Sequence, residues 1–528
     1  MPMTRLNRTP DIDRAGDNIT YNVFKWKKKL TIMINMRNIA LTFLGCFTIL
    51  AACSNSDDAE KPVVPVPTGD VAIYTTTSSL TRDLTRDAVN FSPKDNLAPT
   101  TITLNPAEQY QTMDGFGAAI TGSTCYNLLL MKPADRHAFL TETFSDKDGF
   151  GFSYIRISIG CSDFSLSEYT CCDTKGIENF ALQSEEKDYI LPILKEILAI
   201  NPSIKVIAAP WTCPKWMKVK SLTDRTPLDS WTNGQLNPDY YQDYATYFVK
   251  WIQAFKAEGI DIYAVTPQNE PLNRGNSASL YMEWEEQRDF VKTALGPQMK
   301  AAGLSTKIYA FDHNYNYDNI ESQKNYPGKI YEDAAASQYL AGAAYHNYGG
   351  NREELLNIHQ AYPEKELLFT ETSIGTWNSG RDLSKRLMED MEEVALGTIN
   401  NWCKGVIVWN LMLDNDRGPN REGGCQTCYG AVDINNSDYK TIIRNSHYYI
   451  IAHLSSVVKP GAVRIATTGY TDNGITCSAF ENTDGTYAFV LINNNEKSKK
   501  ITVSDGQRHF AYDVPGKSVT SYRWAKSK

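Results

Sequence analysis

Two short acidic stretches hold the residues best placed to do chemistry: Thr266-Pro267-Gln268-Asn269-Glu270-Pro271 and Leu367-Leu368-Phe369-Thr370-Glu371-Thr372. Each glutamate follows an apolar, strand-like run, Ile262-Tyr263-Ala264-Val265 in one case and Leu367-Leu368-Phe369 in the other. Both are therefore expected at the C-terminal tip of a strand. Charge at the end of a buried strand is costly, so packing gives no reason for a carboxylate there. The two glutamates are 371 − 270 = 101 residues apart, a span that fits two strands three strand–helix units apart. Paired carboxylates facing one pocket are what glycoside hydrolysis requires.

The elements that must position them follow from the apolar patterning. Eight strands are expected at Thr112–Phe116, Tyr154–Ile159, Lys205–Ala209, Ile262–Thr266, Lys307–Phe311, Ala343–His346, Leu367–Thr370 and Gly405–Trp409. Helical stretches lie between them, notably Glu185–Ala199, Tyr240–Ala257, Ser279–Ala301 and Lys385–Asn400. Strands alternating with amphipathic helices mark a parallel α/β fold. Eight such units over residues 105–446 define a (β/α)8 TIM barrel, whose active site sits at the C-terminal ends of the strands.

From about His447 the pattern changes to short alternating runs, Ile475–Ala479, Tyr487–Ile492, Ile501–Val503 and Ser518–Arg523. Turn signals such as Asn482-Thr483-Asp484-Gly485 separate them, so residues 447–528 are expected to form a β-sandwich. Thr-rich, strand-like sequence at 71–104 is expected to complete that sheet, making a side domain that the chain leaves and re-enters.

A charge of −8 and a pI near 5.6 argue against nucleic-acid binding, which wants a basic surface. The aromatic fraction of 11%, with 30 Tyr and 10 Trp, suits stacking on the C–H faces of sugars as well as core packing.

The first 53 residues have the character of a targeting segment. Met36-Arg37-Asn38 opens a basic stretch, and Ile39 to Leu50 is an apolar run too short to span a bilayer but right for a signal sequence. Leu50-Ala51-Ala52-Cys53 looks like a lipobox with Cys53 as the lipidated residue, and Leu44-Gly45-Cys46 is a weaker rival. Ser54-Asn55-Ser56-Asp57-Asp58 resembles the export signal of bacterial surface lipoproteins, which implies an outer-membrane lipoprotein touching the membrane only through its anchor. The 35 residues before Met36 do not belong to an ordinary signal; translation from Met36 would remove them, and translation from Met33 all but three. Residues 54–70, with Lys61-Pro62-Val63-Val64-Pro65-Val66-Pro67, form an extended spacer.

Of 11 cysteines, Cys46 and Cys53 fall in the targeting segment, and an odd remainder without regular spacing is not a disulfide framework. Cys425-x-x-Cys428 can form a local disulfide in an oxidising compartment. No second Cys pair or His pair stands at zinc spacing, so neither a metal nor another cofactor is expected.

Six segments in order resemble glycoside hydrolase family 30, the family of acid β-glucosylceramidase. They are Asp114–Thr121, Arg156–Ser165, Ala209–Lys218, Thr266–Pro271, the Glu371 segment and Val408-Trp409-Asn410-Leu411. Tyr448–His453 followed by Lys459–Ile465 resembles the family's re-entry into its β-sandwich. The resemblance runs from about residue 71 to the end. It implies a retaining mechanism with Glu371 as nucleophile and Glu270 as general acid/base, their carboxyl groups about 5–5.5 Å apart. It also implies that Asn269 bonds the sugar 2-hydroxyl, and that Asp163, Trp211, Trp409 and Asn410 hold the non-reducing sugar. His346 and Tyr348 match a His-x-Tyr pair expected to steady Glu371. Arg156 is expected to fix a carboxylate by bidentate pairing, and Asp312-His313 to make a rim or subsite contact.

Relatives carrying Thr-Pro-Gln-Asn-Glu-Pro include β-1,6-glucanases, so the expected activity is that of an endo-β-1,6-glucanase on β-glucan. An exo-β-glucosidase or glucosylceramidase-like enzyme is the alternative, with β-xylosidase or β-fucosidase behind. Trp231, in the loop from Asp224 to Gly234, is a candidate stacking platform. A surface glycan-binding lipoprotein on a degenerate barrel would lack Glu270, Glu371 or Asn269, and all three are present.

Overall fold

The computed structural model describes residues 67–93 and 97–527. Cys53, the targeting segment and most of the 54–70 spacer lie outside them. Eight parallel strands close into a barrel: Gly115–Ala119, Tyr154–Ser158, Lys205–Ala209, Ala264–Val265, Lys307–Asn314, Gly342–His346, Glu366–Glu371 and Cys403–Val408, numbered here as barrel strands one to eight. Strand one starts three residues after the expected Thr112, because Thr112 ends a long strand of the other domain, Thr101–Thr112. The barrel closes tightly at Gly117, where a Cβ would lie 1.7 Å from the carbonyl oxygen of Tyr154.

Alternation along the strands builds the interior in layers. Tyr154, Ile207, Ala264, Tyr309, Ala344, Leu368 and Ile407 pack together as one layer. Two residues further on, Arg156, Thr266, His346, Thr370 and Trp409 form the next layer at the C-terminal mouth. The outer helices bury regular apolar stripes: in Tyr241–Ala257 these are Tyr241, Tyr244, Ala245, Phe248, Trp251, Ile252 and Phe255. The segment expected to be helical from Ser279 becomes so only at Trp284, leaving residues 271–283 as a loop beside Glu270.

The second domain is a continuous ten-stranded ladder. Val71–Thr77 pairs with Ser518–Ala525, and Thr101–Thr112 pairs with Val463–Gly469, so N- and C-terminal sequence shares one sheet around a core of Ile73, Leu104, Phe489, Phe510, Tyr522 and Trp524. Strand pairing thus assigns residues 105–112, expected in the barrel, to this sheet. Arg508–Val514 adds a strand the sequence reading lacked. Helix does not stop at His447: Ser446–Ser455 is an α-helix with all ten residues buried. Its His453 bonds Ser521 Oγ and Thr76 Oγ1, both at 2.9 Å, tying the helix to the sandwich. Among the described residues no helix is long and apolar enough to cross a membrane.

Candidate active site

Arg156, on barrel strand two, is wholly buried and organises the mouth of the barrel. Its Nη1 donates to Glu371 Oε2 at 2.6 Å, while Nη2 donates to Asp312 Oδ2 at 2.8 Å and to Asn269 Oδ1 at 2.7 Å. The expected bidentate pairing with one carboxylate is thus replaced by a bridge across the ends of strands four, five and seven. The guanidinium carbon also lies 4.9 Å from the ring centre of Trp211 and 5.4 Å from that of Trp409, which stack on each other at 5.1 Å.

Asp312 is not at the rim. It is fully buried and takes, besides Arg156, bonds from Thr266 Oγ1 at 2.7 Å, Thr370 Oγ1 at 2.6 Å and His346 Nε2 at 3.0 Å. Burial raises its pKa, but Arg156 and His346 outweigh burial and hold it well below the carboxylate range.

The two glutamates sit in different surroundings. Glu371, at the tip of strand seven, accepts from Arg156 and from the Tyr348 hydroxyl at 3.0 Å. Its pKa is raised by burial, with the charges of Glu270 and Asp312 adding and His346 and Arg156 opposing. Glu270 is surrounded by nitrogen. Asn273 Nδ2 and Asn276 Nδ2 donate to its Oε2 at 2.8 and 3.1 Å, and His346 Nδ1 and His313 Nδ1 stand 3.5 and 3.8 Å from its Oε1. Burial raises the Glu270 pKa, and the histidine contacts more than reverse that. His346 therefore faces Glu270 and Asp312 rather than bonding Glu371 as expected. Although burial lowers its pKa, the surrounding carboxylates lift it to about 9. At 3.5 Å His346 Nδ1 makes no hydrogen bond to Glu270 Oε1, and the two groups act on each other through charge.

Both histidines are fixed from behind, His346 Nε2 on Asp312 and His313 Nε2 on Asp318 at 2.9 Å. Sequence spacing kept them apart; folding brings them onto one oxygen. With Glu270 they make the one group among the described residues whose ligand atoms could hold a metal ion, all within 4.8 Å of one another. The proton that the carboxylates keep on His346 competes for that position.

Backbone strain is present at the site as well. Glu270, Phe311, Asp312 and Asn410 all have positive φ, at 44°, 74°, 74° and 23°, at a cost on the order of 1–3 kcal/mol each. Such strain persists where surrounding contacts over-determine it, as the Arg156 network does.

A cavity of about 380 Å³ opens above this layer, lined by Asp163, Glu270, Tyr348, Glu371, Trp377 and Trp409 among others. Asp163 Oδ1 is buried without a partner, and burial, then Glu371 and Glu270, push its pKa up to about 8. A sugar hydroxyl entering the cavity would satisfy that atom. Trp211, Asn269, His346 and Asn410 lie beneath the lining rather than on it. Asn410 Oδ1 accepts from Thr121 at 2.7 Å, and its Nδ2 is unpartnered. Trp231 packs toward Trp211 and Trp409 with Lys215 over its ring, away from the cavity lining. Asn273, Asn276 and Trp377 were not singled out in the sequence, although the asparagines stand three and six residues after Glu270. A disulfide joins Cys425 and Cys428, both on the cavity wall.

A closed (β/α)8 barrel with two buried carboxylates at the tips of strands four and seven defines a glycoside hydrolase. The chain belongs to glycosyl hydrolase family 30, a retaining family: the family's TIM-barrel domain matches residues 113–458 and its beta sandwich domain residues 461–522. The solved structure of the endo-beta1,6-glucanase BT3312 is 99% identical, with a TM-score of 0.86, covering 87% of this chain and 100% of that one. The endo-1,6-beta-D-glucanase BGN16.3 of Trichoderma harzianum is 33% identical over 78% of this chain and 84% of its own length. The lysosomal acid glucosylceramidase of Mus musculus is 26% identical, over 80% and 83%.

Proposed function

We propose that this chain is an endo-β-1,6-glucanase working by double displacement, with Glu371 as nucleophile and Glu270 as acid/base. The observation that carries the assignment is the asymmetry of the pair. Glu371 accepts two donors, Arg156 at 2.6 Å and Tyr348 at 3.0 Å; both fix the orientation of its oxygens, and Arg156 opposes the rise that burial gives its pKa. Glu270 has only neutral amides bonded to it, Asn273 and Asn276, with the His346 imidazole 3.5 Å away, so its proton affinity can follow the charge on its neighbours, which suits a group that must give a proton up and take one back. In the first step a Glu371 oxygen bonds the anomeric carbon as the glycosidic bond breaks, and the proton moves from Glu270 to the leaving oxygen. In the second, Glu270 takes a proton from water, whose oxygen displaces Glu371 from the same carbon. Asn269 is oriented by Arg156 toward its expected role at the 2-hydroxyl, and Asp163 and Trp409 hold the glycone.

The substrate assignment is supported by the 99% identical glucanase structure and by the Trichoderma harzianum enzyme. A time course of products from a β-1,6-linked glucan tests it. A ladder of oligosaccharides appearing before glucose is expected; glucose alone from the start refutes endo action, and no product refutes the substrate.

The same reading places the protein on a membrane through a lipid at Cys53, supported by the apolar run and lipobox-like Leu50-Ala51-Ala52-Cys53. Cells fed labelled palmitate should label the wild type and not Cys53→Ala; equal labelling contradicts it.

A further inference from the structure

A second cavity of about 460 Å³ adjoins the catalytic one, lined by Tyr315, Asn347, Asn351, Arg352, Asn378 and Glu393 among others. Tyr348, Ser373 and Trp377 line both spaces, so these side chains form the boundary between them. Tyr348 and Trp377, 42% and 52% exposed, are the only aromatics among the large exposed hydrophobics of the described residues. That both stand at this one junction asks for a ligand, since an exposed indole gains nothing from water.

Trp377 is held as a fixed surface. Its ring lies so close over Gly375 that a Cβ there would sit 1.9 Å from it. The Gly375 N–H donates to Asn378 Oδ1 at 3.0 Å, and Ile374 and Gly375 pair with Tyr429 and Cys428, the latter in the disulfide.

Topology gives the cavity a direction. The glycone residues Asp163 and Trp211 follow strands two and three, across the barrel mouth from the loops after strands six and seven that hold this cavity, while Trp409 follows strand eight, next to strand seven. A chain whose non-reducing part rests on the first wall leaves the catalytic carboxylates toward the second. Charge gives it a chemistry. Arg352 is paired with Glu393, and Arg386 with Asp390 and, at 2.9 Å, Glu389. No cation on this wall is left for an acidic sugar, and the Nδ2 groups of Asn347, Asn351 and Asn378 can donate to hydroxyls.

We propose that this cavity is a leaving-group subsite that takes the reducing-end part of a neutral gluco-oligosaccharide, with Trp377 as its stacking platform. The proposal rests on the β-1,6-glucanase reading above. The test compares wild type, Trp377→Ala and Asn351→Trp on β-1,6-linked gluco-oligosaccharides of two to six units, labelled at the reducing end. Wild-type kcat/KM should rise with units added on the reducing side. Trp377→Ala should lose about tenfold more on the longest substrate than on the shortest, the loss of one aromatic contact. Asn351→Trp, an exposed change that fills the cavity, should flatten the same length dependence. Length dependence that survives in both variants, or equal losses at every length, overturns the subsite and leaves the glucanase reading standing. No cleavage of any member by the wild type overturns that reading, and with it the ligand proposed here.

Discussion

Replacing Arg156 with methionine isolates the contribution of one guanidinium to both stability and rate. The side chain is fully buried, bridges two carboxylates whose side chains are 0% and 7% exposed, and holds Asn269 as well. Removing it leaves Asp312 and Glu371 with His346 as the one remaining cation in contact with Asp312. Breaking a buried ion pair from one side costs about 3–5 kcal/mol, so urea unfolding at pH 7 should show a loss of that size. The sign with pH follows from the carboxylates. Without Arg156 their folded pKa values rise above the unfolded ones, so the penalty is present at neutral pH. It should shrink as pH falls and the groups protonate in both states. The rate should fall more steeply than a simple binding loss. Glu371 loses its shortest donor and Asn269 its anchor, and a similar energy taken from the transition state alone lowers kcat/KM by about 10²–10⁴-fold. Arg156→Lys keeps the charge but cannot span three acceptors, and should recover stability more than rate. Kinetics on an aryl β-glucoside beside the unfolding curves give both quantities. A methionine variant within threefold of wild-type kcat/KM, or with unchanged stability at pH 7, would refute the network's role.

Glu270→Ala should lose activity on β-1,6-glucan by about 10³-fold but much less on an aryl glucoside with an activated leaving group, which needs no proton; equal losses on the two reassign the acid. His346, with its pKa raised to about 9, contributes stability that is complete below its unfolded value near 6.5 and is lost as pH rises through 9. Unfolding free energy should therefore drop by up to about 3 kcal/mol between pH 6.5 and 9, and His346→Gln should remove most of that slope. His447 and His453 are buried with pKa values pushed down by burial to about 4 and about 3, so they cost stability as pH falls below 6.5. Together they predict a loss approaching about 3 kcal/mol per pH unit near pH 5, and His453→Gln should lessen it.

Much of this architecture was legible because each barrel strand is an apolar run that breaks into polar residues where the mouth begins. The two glutamates stood out for the same reason. The errors have physical causes. The strand Thr101–Thr112 runs almost directly into barrel strand one at Gly115, so the junction between domains leaves no turn to read. Helix Ser446–Ser455 is buried on every side and carries no polar face, which removes the helical periodicity. At the site, Asp312 looked like a rim residue because its four donors come from strands two, four, six and seven, contacts that local sequence does not encode. The convergence of His313 and His346 on Glu270 arises from barrel closure alone, as does the meeting of Tyr348 and Trp377 at one boundary.

The double-displacement mechanism stands most directly on the identity of the nucleophile. A 2-deoxy-2-fluoro-β-glucosyl fluoride should form the glycosyl-enzyme and slow its hydrolysis, letting the labelled peptide be isolated and sequenced by mass spectrometry. One added fluoroglucosyl group is expected, carried by Glu371 and absent from Glu371→Gln. A label on Glu270 or Asp163, or full inactivation of the Glu371→Gln protein's residual activity with the label elsewhere, would contradict it.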